Sequence, residues 1–140
     1  MAFGRLLMFR LLSHLDHIIY LDCDVRVFKP CLKDILRYHT HNSNCLLSVV
    51  RDHGIYLINN ENELLTVKTD HYFNTGVCAF NIKACISYGI NEKIDKILSD
   101  AEIPLKFADQ TILNLIFKDD KDAICFLPEK YNSLIMLLGI

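Results

Sequence analysis

Two aspartates separated by one residue carry the chemistry most readily inferred from this chain. Asp22 and Asp24 follow the short apolar run 18–21, whose composition predicts a buried strand. In an extended segment, residues two apart point to the same side. Ligand sites of open α/β sheets lie beyond the carboxyl ends of the strands. Two carboxylates there suit Mg²⁺ or Mn²⁺, an ion that bridges to phosphate oxygens and acts as a Lewis acid on a departing diphosphate.

An Asp-x-Asp pair alone also has a simpler explanation. Asp120 and Asp122 form a second such pair in a predicted surface turn, and we interpret these two as solvated charges. Asp22 and Asp24 would likewise suit a turn that ends a strand, with their side chains accepting hydrogen bonds from backbone N–H groups. Their context alone leaves the metal site and the turn open.

Strand-like and helix-like patterns alternate along the chain. Apolar runs predict short strands at 18–21, 45–50, 76–82 and 124–127, with a weaker extended piece at 25–28. Helical spacing, with Asp109 placed to cap the last helix, predicts helices over 3–14, 31–38, 83–100 and 109–117. This alternation predicts an α/β sheet covered on both faces, whereas residues 55–72 give no clear assignment.

The N-terminal helix is predicted to be amphipathic. Phe3, Leu7, Leu11 and Leu15 recur every four residues and would form one apolar stripe. Polar and charged residues interrupt the apolar run 6–9 soon afterwards, and no small-residue cleavage site follows. A secretory signal peptide is therefore not predicted.

The composition excludes several classes of protein. The chain has 140 residues, of which 51% are hydrophobic and 23% charged, which is typical of a folded domain. Its 15 lysines and arginines are scattered and its formal net charge is −2, so no nucleic-acid partner is predicted. The longest apolar stretch, 134–140, is far shorter than the roughly 20 residues of a membrane-spanning helix, so no transmembrane segment is predicted.

Neither the cysteines nor the histidines have the spacing of a metal site. The 6 cysteines include no Cys-x-x-Cys pair. Most lie in apolar runs and are interpreted as buried thiols rather than a disulfide framework, which favours a reducing, cytoplasmic location. His39 and His41 are the one close histidine pair, and their polar surroundings predict a surface position. No histidine is predicted to be a ligand.

Four further segments accompany the aspartate segment Ile19–Val25. In chain order they are Phe3-Gly4-Arg5-Leu6 before it, and after it Tyr72–Val77 with Phe80-Asn81, Asp109-Gln110 with Leu113-Asn114, and Leu127-Pro128 with Lys130-Tyr131-Asn132. Each is unspecific alone. The ordered set resembles glycosyltransferase family 8, which includes bacterial lipopolysaccharide galactosyl- and glucosyltransferases and glycogenin-like proteins.

The resemblance implies a GT-A fold, which is a Rossmann-like three-layer α/β sandwich that binds nucleotide sugars. Only 21 residues precede Asp22, where the family has its first strands. The family's late histidine segment, which completes its metal site, has no counterpart here. We therefore expect residues 1–140 to be a single partial catalytic domain, incomplete at both ends.

The resemblance also implies donor-binding roles for five side chains. Asp22 and Asp24 would hold the metal and touch the donor diphosphate or ribose. Arg5 would contact the donor sugar or phosphate, Asp52 the sugar hydroxyls, and Asn74 the donor sugar. Without the resemblance, Arg5 fits equally well as a surface charge, Asp52 as an ordinary loop residue and Asn74 as a turn former.

Asp109 and Gln110 would lie beside the anomeric carbon. The alternative for Asp109 is a plain N-cap, which is compatible with catalysis because a helix N-terminus favours negative charge. Retaining hydrolases use a carboxylate nucleophile, and an amide is a poor one. A front-face route, in which the leaving diphosphate helps to deprotonate the acceptor, is thus a second option, with the protein supplying positioning and charge stabilisation.

The implied function is Mn²⁺- or Mg²⁺-dependent, retaining transfer of a hexose from a UDP-sugar to a glycan or lipopolysaccharide-type acceptor. The expected partners are that donor and a saccharide acceptor, and any peripheral membrane association would involve regions outside this chain. One alternative is a catalytically inactive fragment of such an enzyme. Another is a haloacid dehalogenase-type phosphohydrolase. Its Asp-x-Asp motif has Thr or Val two residues after the second aspartate, and this chain has Arg26 there, which does not match.

Overall fold

The alternating pattern folds into a four-stranded mixed sheet with helices on both faces. The structure is a computed structural model that describes residues 3–42, 44–57 and 61–133, without the side chains of residues 56 and 57. The strands are β1 (His17–Leu21), β2 (Leu47–Arg51), β3 (Phe73–Asn81) and β4 (Ile124–Phe126). Their order is β1-β3-β2-β4, with β3 antiparallel to both of its neighbours and β2 parallel to β4.

The helices fall in all four predicted helical segments with adjusted bounds, and two more lie at 54–57 and 61–67, in and beside the stretch 55–72 that had no assignment. They are α1 (Met8–Leu11), α2 (Leu32–His41), α3 (Gly54–Leu57), α4 (Glu61–Val67), α5 (Ile82–Ser87), α6 (Ile90–Ser99) and α7 (Asp109–Phe117). The predicted helix over 83–100 is two helices, because Gly89 between them has a left-handed φ of +77°. The predicted extended piece at 25–28 is not a strand. The apolar run 134–140 lies outside the described residues, within which no helix is long and apolar enough to cross a membrane.

β3 organises the core because it lies between β1 and β2 and packs on both faces. On one face Phe80 packs edge-on against Phe9 of the N-terminal helix, with ring centroids 5.4 Å apart. On the other face Val77 and Ala79 pack against Ile35 of α2. Each of these fully buried apolar side chains contributes about 1.5–3 kcal/mol, except the smaller alanine. The predicted buried strand 18–21 is only half-buried, because β1 lies at the edge of this sheet.

The predicted apolar stripe of the N-terminal helix is wrong. Phe3, Leu7, Leu11 and Leu15 are all exposed, and Leu6, Phe9 and the partly buried Leu12 face the core instead. The segment begins with a 3₁₀ turn (Gly4–Leu7), in which residues three apart, not four apart, share a face. The α-helix also ends at Leu11, so Leu15 lies beyond it.

The cysteines are not all thiols. Cys45 and Cys125 form a disulfide with their Cα atoms 5.7 Å apart, within the range that a disulfide needs. They meet because Cys125 lies on β4 and Cys45 just before the neighbouring β2, a pairing that a sequence separation of 80 does not reveal. Cys78 and Cys85 are buried thiols, as predicted.

His39 is buried, which corrects the prediction of a surface pair, whereas His41 is exposed. The Nδ1 atom of His39 lies 2.7 Å from Ser48 Oγ on β2, and its ring packs edge-on against His17. Burial, with a smaller effect from His17, lowers the pKa of His39 to about 4. The helical spacing from Ile35 to His39 was the overlooked signal, since it puts both on the inner face of α2.

A buried neutral imidazole makes stability depend on pH. In the unfolded chain the His39 imidazole is protonated below a pH of about 6.5, whereas in the folded protein it is protonated only below about pH 4. We expect the free energy of unfolding to fall between pH 6.5 and 4.5, by up to about 2.5 kcal/mol from this residue. Urea unfolding followed by circular dichroism measures it. His39→Gln should reduce the dependence of the free energy of unfolding on pH, and His41→Gln should leave it unchanged. An unchanged pH dependence in His39→Gln would contradict His39 as its source.

Candidate functional site

The candidate site is built on an irregularity in β3. The pairing of β2 with β3 shifts register between Val49 and Val50, so residues 75–77 of β3 have no partner on β2. The other edge of β3 stays paired, and Asp22, just after β1, donates its N–H to Gly76 O at 2.8 Å. Such bulges are common beside active sites because they re-aim side chains and release backbone groups.

Side chains of the predicted site occupy the released backbone groups. Thr75 N donates to Gln110 Oε1 at 3.1 Å, and Thr75 O accepts from Arg5 Nη1. Gly76 N donates to Asn74 Oδ1 at 2.7 Å. Residues far apart in sequence are thus fixed to one short stretch of β3, and buried backbone groups that would otherwise be unpaired are satisfied.

Arg5 lies between two carboxylates. Its Nη2 is 3.0 Å from Asp22 Oδ1, its Nε contacts Asp109 Oδ2, and only 8% of its side chain is exposed. The guanidinium also lies over the ring of Tyr20, 4.4 Å from the centroid, and Tyr20 donates its hydroxyl to Asp22 Oδ1 at 2.9 Å. The alternative of Arg5 as a surface charge is therefore wrong. It is a buried cation that joins the first helix to the end of β1 and the start of α7.

Asp109 begins α7 but is not its N-cap. The cap position is Ala108, and Asp109 is the first helical residue, with its Oδ1 accepting from Gln110 N at 3.0 Å. Burial raises the pKa of Asp109, and the adjacent Arg5 opposes that rise. The carboxylate therefore depends on Arg5 for its charge.

Gln110 connects β3 to Asp52. Its Nε2 donates to Asp52 Oδ2 at 3.1 Å and to the hydroxyl of Tyr72 at 3.4 Å, while its Oε1 faces Thr75. Asp52 is buried rather than an ordinary loop residue, and its other oxygen accepts from Ile55 N at the start of α3. Each oxygen of Asp52 thus has a fixed partner.

Gly76 leaves a small space beside Asn74 and Asp22. A Cβ added at Gly76 would lie 3.0 Å from Asn74 Oδ1, 3.3 Å from Asp22 Oδ2 and 3.5 Å from Asn132 Nδ2. Asn132 holds Asn74 through a hydrogen bond of 2.6 Å. Carboxylate and amide groups therefore converge on a point that only a glycine leaves open. Asn74 forms a turn-like bond to Gly76, and it also belongs to the site.

Arg5, Asp22, Asp52, Asn74, Asp109 and Gln110 are hereafter called the site network. Of the predicted site residues, Asp24 alone is outside it. Asp24 is exposed, and no hydrogen bond or ion pair joins it to the network in the described ranges. Within the same ranges no three His, Cys, Asp or Glu side chains are grouped to hold a metal ion. The Oδ1 atom of Asp22 is engaged by Arg5 and Tyr20, which leaves Oδ2 for a ligand.

Several side chains that shape the site were not predicted to have a role there. Tyr20, Tyr72 and Asn132 lie inside segments that carry the resemblance, so the sequence does contain a signal for them. Glu63 lies in the unassigned stretch 55–72, where no pattern indicated it. All four make hydrogen bonds to network residues or to a direct partner of one.

An open cleft of about 410 Å³ lies between the end of β1, the middle of β3, the start of α2 and the segment 25–31. None of the six network residues lines it, but Leu21, Val77 and Tyr131 do, and these are next in the chain to Asp22, Gly76 and Asn132. Charged side chains on its wall are Arg26, Lys29, Asp34 and Lys130. Its volume falls within the range of small-molecule sites in proteins.

Solved structures of similar fold are glycosyltransferases. The apo structure of the bifunctional glycosyltransferase WbbM superposes with a TM-score of 0.76 at 21% identity, over 92% of this chain and 24% of that one. The galactosyltransferase LgtC, in complex with donor and acceptor sugar analogues, gives a TM-score of 0.71 at 22% identity, over 91% of this chain and 44% of that one. The fold is the GT-A glycosyltransferase fold, as the sequence predicted.

The family follows from the sequence comparisons. The model of glycosyl transferase family 8 matches residues 1–139, and the chain belongs to that family. A lipopolysaccharide 1,2-glucosyltransferase of Escherichia coli is 33% identical over 134 residues, which are 93% of this chain and 38% of that protein. The chain thus spans well under half the length of this relative.

Proposed function

We propose that this chain carries the central part of the catalytic site of a retaining glycosyltransferase that takes a hexose from a UDP-sugar. The observation that carries the proposal is the site network. Arg5, Asp22, Asp109 and Gln110 come from three separate segments and are joined by direct contacts at the bulge of β3. A purely structural ion pair would not need a glycine beside it to keep space open.

Asp22 and Asp24 are the proposed ligands of Mn²⁺ or Mg²⁺. Mg²⁺ in phosphate-binding sites is usually held by one or two carboxylates, with the substrate's phosphates and water supplying the rest. The free Oδ2 of Asp22 and the exposed carboxylate of Asp24 fit this pattern. When bound, the ion would neutralise the diphosphate and stabilise it as a leaving group.

The remaining network residues are proposed to position the donor. Asn74 has its oxygen engaged by Gly76 N and Asn132, so its NH₂ group is the one proposed to bond the donor sugar. Each Asp52 oxygen has one donor and can accept a second from a sugar hydroxyl, and Arg5 holds Asp22 and Asp109 in their places. Both oxygens of Asp109 and both ends of the Gln110 amide already have partners within the protein. Neither group is free to attack the anomeric carbon without breaking those contacts, which favours the front-face route over a covalent nucleophile.

The acceptor is proposed to be a saccharide of a glycan or lipopolysaccharide type. The E. coli relative is named a lipopolysaccharide glucosyltransferase, which supports this class of acceptor. The cleft lined by Leu21, Val77 and Tyr131 has the size for one or two sugar rings, and Tyr131 offers a ring on which a sugar can stack.

Calorimetric titration of UDP tests the proposed donor site. We expect UDP binding that needs Mn²⁺ and that weakens about tenfold or more in Gly76→Ala, because the added methyl group crowds Asn74 and Asp22. Gly4→Ala is the matched control, since a Cβ there meets nothing within 4 Å. Absence of binding heat at millimolar UDP would support the alternative of an inactive fragment. Equal UDP affinity in both variants would show that UDP does not bind at the space beside Gly76.

A further inference from the structure

We propose that Glu63 and Tyr72 are positioning residues that fix the orientation of the Gln110 side-chain amide. Their importance for transfer rests on the proposed function, but the orientation itself does not. Glu63 on α4 is 1% exposed and Tyr72, just before β3, is fully buried. Neither is among the nearest neighbours of the space at Gly76, and the side chain of Tyr72 meets the site network through its hydrogen bond with Gln110.

The hydrogen bonds around Glu63 have a fixed direction. Its Oε1 accepts from the hydroxyl of Tyr72 at 2.7 Å and from Thr111 Oγ1 at 2.8 Å. Thr111 in turn accepts from Phe107 N, so its own proton points to Glu63. A carboxylate oxygen accepts and does not donate, and therefore the phenol proton of Tyr72 is committed to Glu63.

That commitment decides which end of the Gln110 amide faces Tyr72. With its proton engaged, the Tyr72 oxygen can only accept, and Asp52 Oδ2 beside it can also only accept. Both therefore require the NH₂ group of Gln110. At the other end the N–H of Thr75 can only donate and requires Oε1. A flipped amide would set oxygen against two acceptors and NH₂ against a donor.

Burial makes this arrangement strict. Gln110 is half-buried, but its partners Tyr72, Asp52 and Thr75 are buried, so a flipped amide would leave several of their polar groups unpaired and is strongly disfavoured. The Oε2 atom of Glu63 has no hydrogen-bond partner among the described residues, although it is buried. A buried carboxylate with one oxygen unpaired is costly to keep for stability alone. It is consistent with a group retained to set the polarity of its neighbours.

The chain is well suited to a direct test, because Gln110 is its sole glutamine. Protein labelled with ¹⁵N in the glutamine side-chain amide gives one NH₂ pair, whose shifts and exchange with D₂O report on Gln110 alone. We expect Tyr72→Phe and Glu63→Met to shift this pair and to speed its exchange about tenfold. Glu63→Gln keeps an acceptor oxygen and should preserve both properties. Unmoved signals in Tyr72→Phe and Glu63→Met would overturn the proposal.

Thr111→Val is the matched control, since it also removes a hydrogen bond to Glu63 Oε1 but lies off the path to Gln110. If Thr111→Val changed the Gln110 NH₂ signals and their exchange equally, Glu63 and Tyr72 would be structural residues and not positioning residues. In transfer assays, Tyr72→Phe should lower kcat about three- to tenfold with donor KM within twofold, and should have no further effect in a Gln110→Ala background. An unchanged kcat would overturn the positioning role. Absence of transfer by the wild type would sink the proposed function, while the NH₂ signals would still decide the amide orientation.

Discussion

Replacing Asp22 with asparagine is expected to lower sugar transfer at least about a thousandfold. The asparagine keeps the size and one oxygen, and it can still accept the hydroxyl proton of Tyr20. It removes the charge that would hold the cation, and metal stabilisation of a departing diphosphate is worth several kcal/mol, where about 4 kcal/mol corresponds to a thousandfold. The measurements are transfer from a UDP-hexose and Mn²⁺ binding by electron paramagnetic resonance.

The second Asp-x-Asp pair supplies the control for this prediction. Asp122 is exposed in the turn after α7, so Asp122→Asn removes the same charge away from the site network. It should change transfer less than twofold. Wild-type Mn²⁺ affinity in Asp22→Asn, with its circular dichroism spectrum unchanged, would refute the metal assignment. Loss of sugar transfer with unchanged Mn²⁺ binding would instead mean that Asp22 positions Arg5 and is not a metal ligand.

The sequence predicted the secondary structure well where apolar residues recur with the spacing of a strand or a helix. The four strands and the four helical segments were predicted because apolar runs and helical spacing report burial directly, whereas the GT-A fold was predicted from the resemblance to the family. The residues of the site network were predicted from ordered segments that resemble a family, and not from composition. That Arg5 and Asp109 meet could not be derived, because they are 104 positions apart and no local pattern relates them.

The failures have a shared physical origin, which is that tertiary packing overrode a local pattern. The apolar stripe from Phe3 to Leu15 was predicted for a regular α-helix. The segment begins with a 3₁₀ turn instead, and these side chains face outwards. His39 was judged by its sequence neighbours, although the inner face of α2 faces Ser48. The bulge in β3 leaves no trace in the sequence beyond Gly76, yet it is what lets Gln110 and Arg5 reach the backbone of Thr75.

Arg5→Met is expected to destabilise the protein by about 3 kcal/mol or more at pH 7. The methionine retains the apolar stem but leaves Asp22 and Asp109 without their cation, and removing one partner of a buried ion pair typically costs 3–5 kcal/mol. Arg10→Met is the matched control. Arg10 pairs with Asp95 at 2.6 Å with half of its side chain exposed, so its loss should cost less than about 1 kcal/mol.

The pH dependence of Arg5→Met distinguishes an ion-pair loss from a packing loss. Burial already raises the pKa of Asp109, and Arg5 opposes that rise, so the pKa should rise further in the variant. A carboxyl whose folded pKa exceeds its unfolded value stabilises the protein when protonated, and this contribution is lost as the pH rises through the folded pKa. The deficit of Arg5→Met relative to wild type should therefore be larger at pH 8 than at pH 5 in urea unfolding. Adding Asp109→Asn should recover part of it. A deficit independent of pH, and unrelieved by Asp109→Asn, would mean that Arg5 stabilises the fold through its contact with Tyr20 rather than through charge.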